Sequence, residues 1–174
     1  MKPRGLLMRP ELAAKTFTGE KTQTRRTCGL GLVNKNPGHW KLNGQNTHGH
    51  FLFESVCEEP ENCFDWQGDF WQGDGTHCPG IIPIQPKYGQ AGQIFYIREA
   101  FRTMSTYDHL KPSEIPETAP IEFLDIEISQ YCGKTHPGLF MPKWAARSIV
   151  RAYRIELQRV QDMTNGDAKA EGID

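Results

Sequence analysis

The apolar positions of the chain fall into a few short runs, separated by long polar stretches rich in glycine and proline. GLLM (residues 5–8) reads as a short buried strand, with Pro10 in a first-turn position just after it. PELAAKTFTG (10–19) predicts a short helix with Leu12, Ala13 and Phe17 on one face and Gly19 as its stop. KTQTRRT (21–27), rich in β-branched threonine, predicts a strand leaving that helix. The clearest central strand lies in GQIFYIREAF, where residues 94–97 are continuously apolar and bounded by Gly92. IEFLDIEIS alternates as a second strand. SIVRAYRIELQRV alternates as a third, with Ile149, Arg151, Tyr153, Ile155, Leu157 and Arg159 on one side and Val150, Ala152, Arg154, Glu156, Gln158 and Val160 on the other. TNGDAKAEGI closes the sequence as a short helix, Thr164 and Asp167 having the spacing of a capping box.

Residues 28–88 show neither helical nor strand period and hold little aliphatic material. They predict an irregular acidic insertion within a single domain spanning 1–174. Strands with only two or three short helices predict an α+β fold, a small mixed barrel or sheet and not a doubly wound one.

Composition narrows the function classes. The chain has 174 residues, is 37% hydrophobic and has a mean hydropathy of −0.59. It contains no apolar run of membrane-spanning length and no signal-peptide core, so no membrane partner is expected. Five scattered cysteines fit reduced thiols, and the expected location is the cytoplasm. The net charge of −1 hides an asymmetry. Lys2, Arg4, Arg9, Lys15, Lys21, Arg25 and Arg26 crowd the start, and Lys143, Arg147, Arg151, Arg154 and Arg159 return late. Between Lys41 and Lys87 only acids accumulate. Two basic segments meeting in space would make a face for phosphates; the alternative is separate solvated faces, with some arginines paired to acids.

Three stretches taken together resemble the ASCH domain family, closest to the ASCH-like proteins of bacteriophages and prophages. They are helix–Gly19–EKTQTRR; GQAGQIFYIREAF (89–101); and MPKWAAR (141–147), running on into LQRVQDMT and DAKAEGI. The resemblance covers residues 5–27, 86–102 and 138–173, and nothing carries over to the insertion. It implies a PUA-like β-barrel and an RNA or modified-nucleoside partner, with no cofactor. Members of the family run on past the late helix into a further strand. Here the sequence ends at Asp174, so the expectation is either that a terminal strand is lost or that the insertion supplies a replacement; an open barrel edge would be available for pairing.

The family's activities differ: some members hydrolyse the amide of N4-acetylcytidine, one is a ribonuclease, and others are RNA-binding modules. In the amidohydrolase branch the catalytic set is a Lys and a Thr in a K-x-x-T step after the first helix, and a Glu in the late helix. Lys21, Thr24 and Glu171 match these positions. A threonine hydroxyl needs a base to become a nucleophile, a desolvated lysine can supply one, and a glutamate can pass a proton to the leaving amine. Positions three apart on a regular strand face opposite ways, so Lys21 and Thr24 converge only through a turn or bulge after Gly19.

Arg25, Arg26, Arg98, Glu99, Lys143, Trp144 and Arg147 are the candidate nucleic-acid- or nucleoside-binding residues. Arg98 and Glu99 read first as a buried ion pair and, as the alternative, as a base-reading pair, and Trp144 as core packing or as a stacking aromatic among cations. Cys57, Cys63, His77 and Cys78 lack the spacing of a zinc knuckle, so no metal is expected. The leading reading is a protein that binds RNA or a modified nucleoside, with hydrolysis of an N4-acylated cytidine as its enzymatic form. The rivals are a non-catalytic RNA- or DNA-binding module, a ribonuclease, and a phage protein that binds a host protein through the acidic insertion.

Overall fold

A computed structural model describes residues 2–26, 29–35, 37–56, 81–125 and 133–173. The fold is mixed α+β, with three short helices and three three-stranded sheets among the described residues. The chain divides into two compact units, Met1–Arg25 with Gly92–Asp174, and Arg26–Ala91.

In the first unit, β1 (Arg4–Leu7) pairs parallel with the central β5 (Ile94–Arg98), which pairs antiparallel with β9 (Ile149–Arg151). Leu6, Phe95 and Ile97 are buried, and β5 alternates buried and half-buried positions as expected of a strand with one covered face. Helix α1 (Pro10–Thr18) begins with Pro10 in its first turn and ends at Gly19, whose φ of 86° places it in the left-handed region that glycine adopts without steric cost. Ala13 is wholly buried, but Phe17, expected on the same inner face, is 60% exposed.

A second sheet joins β6 (Phe101–Arg102) to β7 (Glu122–Phe123) and β8 (Thr135–His136). Its Phe101 anchors a core with Ile115, Ala119, Met141 and Ala145, against which Phe123 and Trp144 pack. Gly138 lies so close to Glu99 that a Cβ there would sit 2.6 Å from the Glu99 carbonyl carbon, so only glycine lets these two segments meet. Helix α3 (Asn165–Ala170) starts with the expected capping box, Thr164 and Asp167 each binding the other's backbone N–H.

The second unit corrects the expectation of irregular chain over 28–88. Helix α2 (Gly31–Lys35) leads into an antiparallel sheet of β2 (Trp40–Gln45), β3 (Phe51–Ser55) and β4 (Ile81–Ile84). Its core is aromatic, with Trp40, Phe51 and Phe53 buried beside Val33. The strand period is interrupted in sequence by a bulge between Leu42 and Gln45 and by the 46–49 turn. In that turn the Asn46 side chain accepts from the backbone N–H groups of His48 and His50. Cys57, Cys63, His77 and Cys78 lie outside the described residues, as does most of IEFLDIEIS beyond the two residues of β7.

Two strands are shorter than their patterns. Residues 20–26 form no strand, because the N–H groups of Thr22 and Gln23 both bind the Ala170 carbonyl and are withdrawn from any ladder. The run from Ile149 leaves the strand after Arg151: Ala152 still exchanges backbone hydrogen bonds with Gln93 and Gly92, and the pairing ends there, where Gly92 takes a φ of 88°.

Candidate functional site

The chain leaving α1 meets the end of α3, and polar groups from both converge there. Lys21 is 7% exposed, and its Nζ donates to the carbonyl oxygens of Gln23 and Glu171, each at 2.6 Å. Lys15 Nζ donates to the Gly172 carbonyl at 2.9 Å. The Glu171 and Gly172 carbonyls lie at the C-terminal end of α3, where acceptors lack an intrahelical partner and cations meet the negative end of the backbone dipoles.

Arg25 binds side chains of the same region. Its Nη2 donates to Gln158 Oε1 at 2.7 Å and lies 3.3 Å from Asp167 Oδ1, while Nη1 lies 3.1 Å from Glu171 Oε1. The Glu171 contact is an ion pair without hydrogen-bond alignment, and both of its atoms are buried. The backbone N–H and hydroxyl of Thr164, and then the Gln158 amide and Arg25, hold the Asp167 carboxyl down at about 2.

A second cluster sits where β5 ends. Glu99 is fully buried and accepts a bidentate pair from Arg147, Nε to Oε1 and Nη2 to Oε2, both at 2.9 Å. Arg147 Nη1 donates to Asp125 Oδ2 at 2.9 Å. Burial raises the Glu99 carboxyl above its ordinary value, although the hydrogen bond and charge of Arg147 work against the rise. Burial also disfavours the Arg147 charge, but its bonds to Glu99 and Asp125 prevail and raise its pKa. The guanidinium carbon lies 4.3 Å from the ring centroid of Phe123 and 5.4 Å from that of Phe17.

Of the residues expected at a site, Lys21, Arg25 and Glu171 come together, and Glu99 joins Arg147 rather than its neighbour Arg98. Arg98 Nη1 instead donates to the Leu139 carbonyl at 2.9 Å, and its side chain lies across Gly5, where a Cβ would meet Nε at 2.5 Å. Thr24 is exposed, and its hydroxyl makes no hydrogen bond among the described residues. Arg26 and Lys143 are exposed, and Trp144 packs into the Phe101 core. Asp125, Gln158 and Phe17 were not foreseen in these roles. Only Asp167 carried a signal, its capping-box spacing from Thr164. Among the described residues no group of His, Cys, Asp and Glu side chains is arranged to hold a metal ion, and no helix is long and apolar enough to cross a membrane.

Comparison of the chain with protein-family models, characterised proteins and solved structures finds no match.

Proposed function

We propose that this is a nucleoside-binding protein of the ASCH/PUA-like type, recognising a base at the junction of α1 and α3. The observation that carries the reading is the convergence of Arg25, Gln158, Asp167 and Glu171 beside the buried Lys21. Planar guanidinium, amide and carboxylate groups are the ones that read the edges of bases. Lys21, Arg25 and Arg147 are all engaged with carbonyls or acids, which favours a base over a long phosphate backbone. Titrating the protein with cytidine, N4-acetylcytidine and an eight-nucleotide single-stranded RNA at two salt concentrations tests the reading. Nucleoside binding that barely changes with salt is expected. Affinity for the RNA alone, falling steeply with salt, would replace this reading with a phosphate-binding one.

A second reading, hydrolysis of the amide of N4-acylated cytidine, rests on the match of Lys21, Thr24 and Glu171 to the K-x-x-T and late-helix positions; Lys21 meets Glu171 through its backbone carbonyl, and the Glu171 carboxylate pairs with Arg25. In it Thr24 attacks the acyl carbon as Lys21 takes the hydroxyl proton, which passes by way of Glu171 to the departing amine of cytidine as the C–N bond breaks, and water then hydrolyses the acetyl-threonine ester to free Thr24 and release acetate. Release of acetate from N4-acetylcytidine by the wild type, lost in Thr24→Val, is the expected result. Undiminished release in Thr24→Val removes the nucleophile assignment.

A further inference from the structure

We propose that residues 153–157 form a pairing edge for a second copy of this chain, the two copies joining as an antiparallel ribbon. The proposal is independent of the nucleoside reading. Residues 149–160 alternate as one strand, yet only Ile149–Arg151 lie in β9. Ala152 makes the last bonds, its N–H donating to the Gln93 carbonyl and its carbonyl accepting from the Gly92 N–H. Beyond it, the backbone N–H and C=O groups of residues 153–157 make no hydrogen bond among the described residues. Tyr153 is 93% exposed, and the exposed side chains of Arg154 and Glu156 pair with each other. A strand-patterned segment with an unpaired backbone is a template for another strand.

The side-chain pattern names the partner. On a strand, Tyr153, Ile155 and Leu157 share one side, and Arg154 and Glu156 the other. A two-fold axis through Ile155 sets Arg154 of each copy opposite Glu156 of the other, and Tyr153 opposite Leu157. Opposite charges directly across an antiparallel ladder stabilise it, and like charges there destabilise it. Moving the axis to residue 154 sets Arg154 against itself, and moving it to residue 156 sets Glu156 against itself. An axis between two residues brings the apolar side of one copy onto the charged side of the other. The register centred on Ile155 satisfies both sides at once, as a self-complementary two-fold contact requires. Arg151 and Arg159 would be the next to face each other, but they fall outside the five paired residues. Arg151 belongs to β9, and Arg159 opens the short 3-10 turn of Val160–Asp162.

Sedimentation velocity of the full chain, at concentrations rising to the millimolar range, tests the proposal on the wild type, Arg154→Glu, Glu156→Arg and the variant carrying both changes. The wild type is expected to pass from monomer to dimer. Each single reversal creates two like-charge pairs per dimer and is expected to weaken association by about tenfold or more. The double swap restores opposite charges across the ribbon and should dimerise as the wild type does. Because both side chains are exposed, all four proteins should share one thermal midpoint at low concentration, which serves as the folding control. A wild type that stays monomeric overturns the proposal and leaves the edge to a strand from another protein. Single reversals that dimerise as the wild type does, or a double swap that stays monomeric, overturn it as well.

Discussion

The ammonium of Lys21 lies 2.6 Å from the backbone carbonyl of Glu171, a residue 150 positions further along the chain. This contact ties the exit of α1 to the end of α3. Together with the bonds from Lys15, Thr22 and Gln23, it satisfies carbonyls at Ala170, Glu171 and Gly172. A lysine that a motif would assign to catalysis is thus also a helix cap.

Removing that cap should be felt in stability before any effect on ligand is considered. Lys21→Met keeps the aliphatic stem and deletes the charge-assisted bonds to Gln23 and Glu171. A loss of about 2 kcal/mol in urea unfolding is expected, the usual scale for hydrogen bonds to a charged group. A change below about 0.5 kcal/mol would show that the carbonyls find water instead.

The pair of Glu99 and Arg147 behaves differently, because one partner is fully buried. Arg147→Met strands a buried carboxylate and is expected to cost about 3–5 kcal/mol at neutral pH. The Glu99 pKa is already raised in the folded state, and losing the guanidinium raises it further. A carboxyl with a raised folded pKa contributes most below its unfolded pKa and loses that contribution as pH rises through the folded one. The variant should therefore recover stability on going from pH 8 to pH 5, measured by urea midpoints. A loss independent of pH would assign the effect to packing against Phe17 and Phe123.

Asp167 has the opposite sign. Its folded pKa of about 2 lies below the ordinary 3.8, chiefly through the bonds from Thr164. Its contribution is present above pH 3.8 and is lost as pH falls toward 2. Amide-exchange protection of α3 is expected to fall across that window in the wild type and to show a flatter profile in Asp167→Asn. Equal profiles would mean that the capping box does not hold the helix in acid.

Much of the scaffold of the first unit was legible in the sequence, because its signals are local. Pro10 and Gly19 bound α1, the apolar run at 94–97 marks the central strand, and the Thr164–Asp167 spacing marks α3. What failed depended on distant partners. Residues 21–26 carry strand-forming threonines, yet the Ala170 carbonyl takes the N–H groups that a ladder would need. Phe17 has helical phase for the core but ends exposed beside Arg147, a relation that no local pattern encodes. The sheet of the second unit escaped notice because a bulge and a glycine-rich turn break its alternation within a few residues.

The parallel pairing of β1 with β5 bears on the order in which the protein folds. The β2–β3 hairpin closes within a few residues, whereas Leu6 must find Ile97, and Lys21 must find Glu171, across most of the chain. Closing such long loops is slow, since the entropy must be lost before the contacts repay it. The hairpin should gain protection early in refolding, and the junction of α1 with α3 only near the end. Substitutions at Lys21 or Arg25 should then speed unfolding while leaving the refolding rate nearly unchanged. The junction proposed to hold the ligand would then also be the one whose breakage limits the lifetime of the native state, which the unfolding rates of these variants measure.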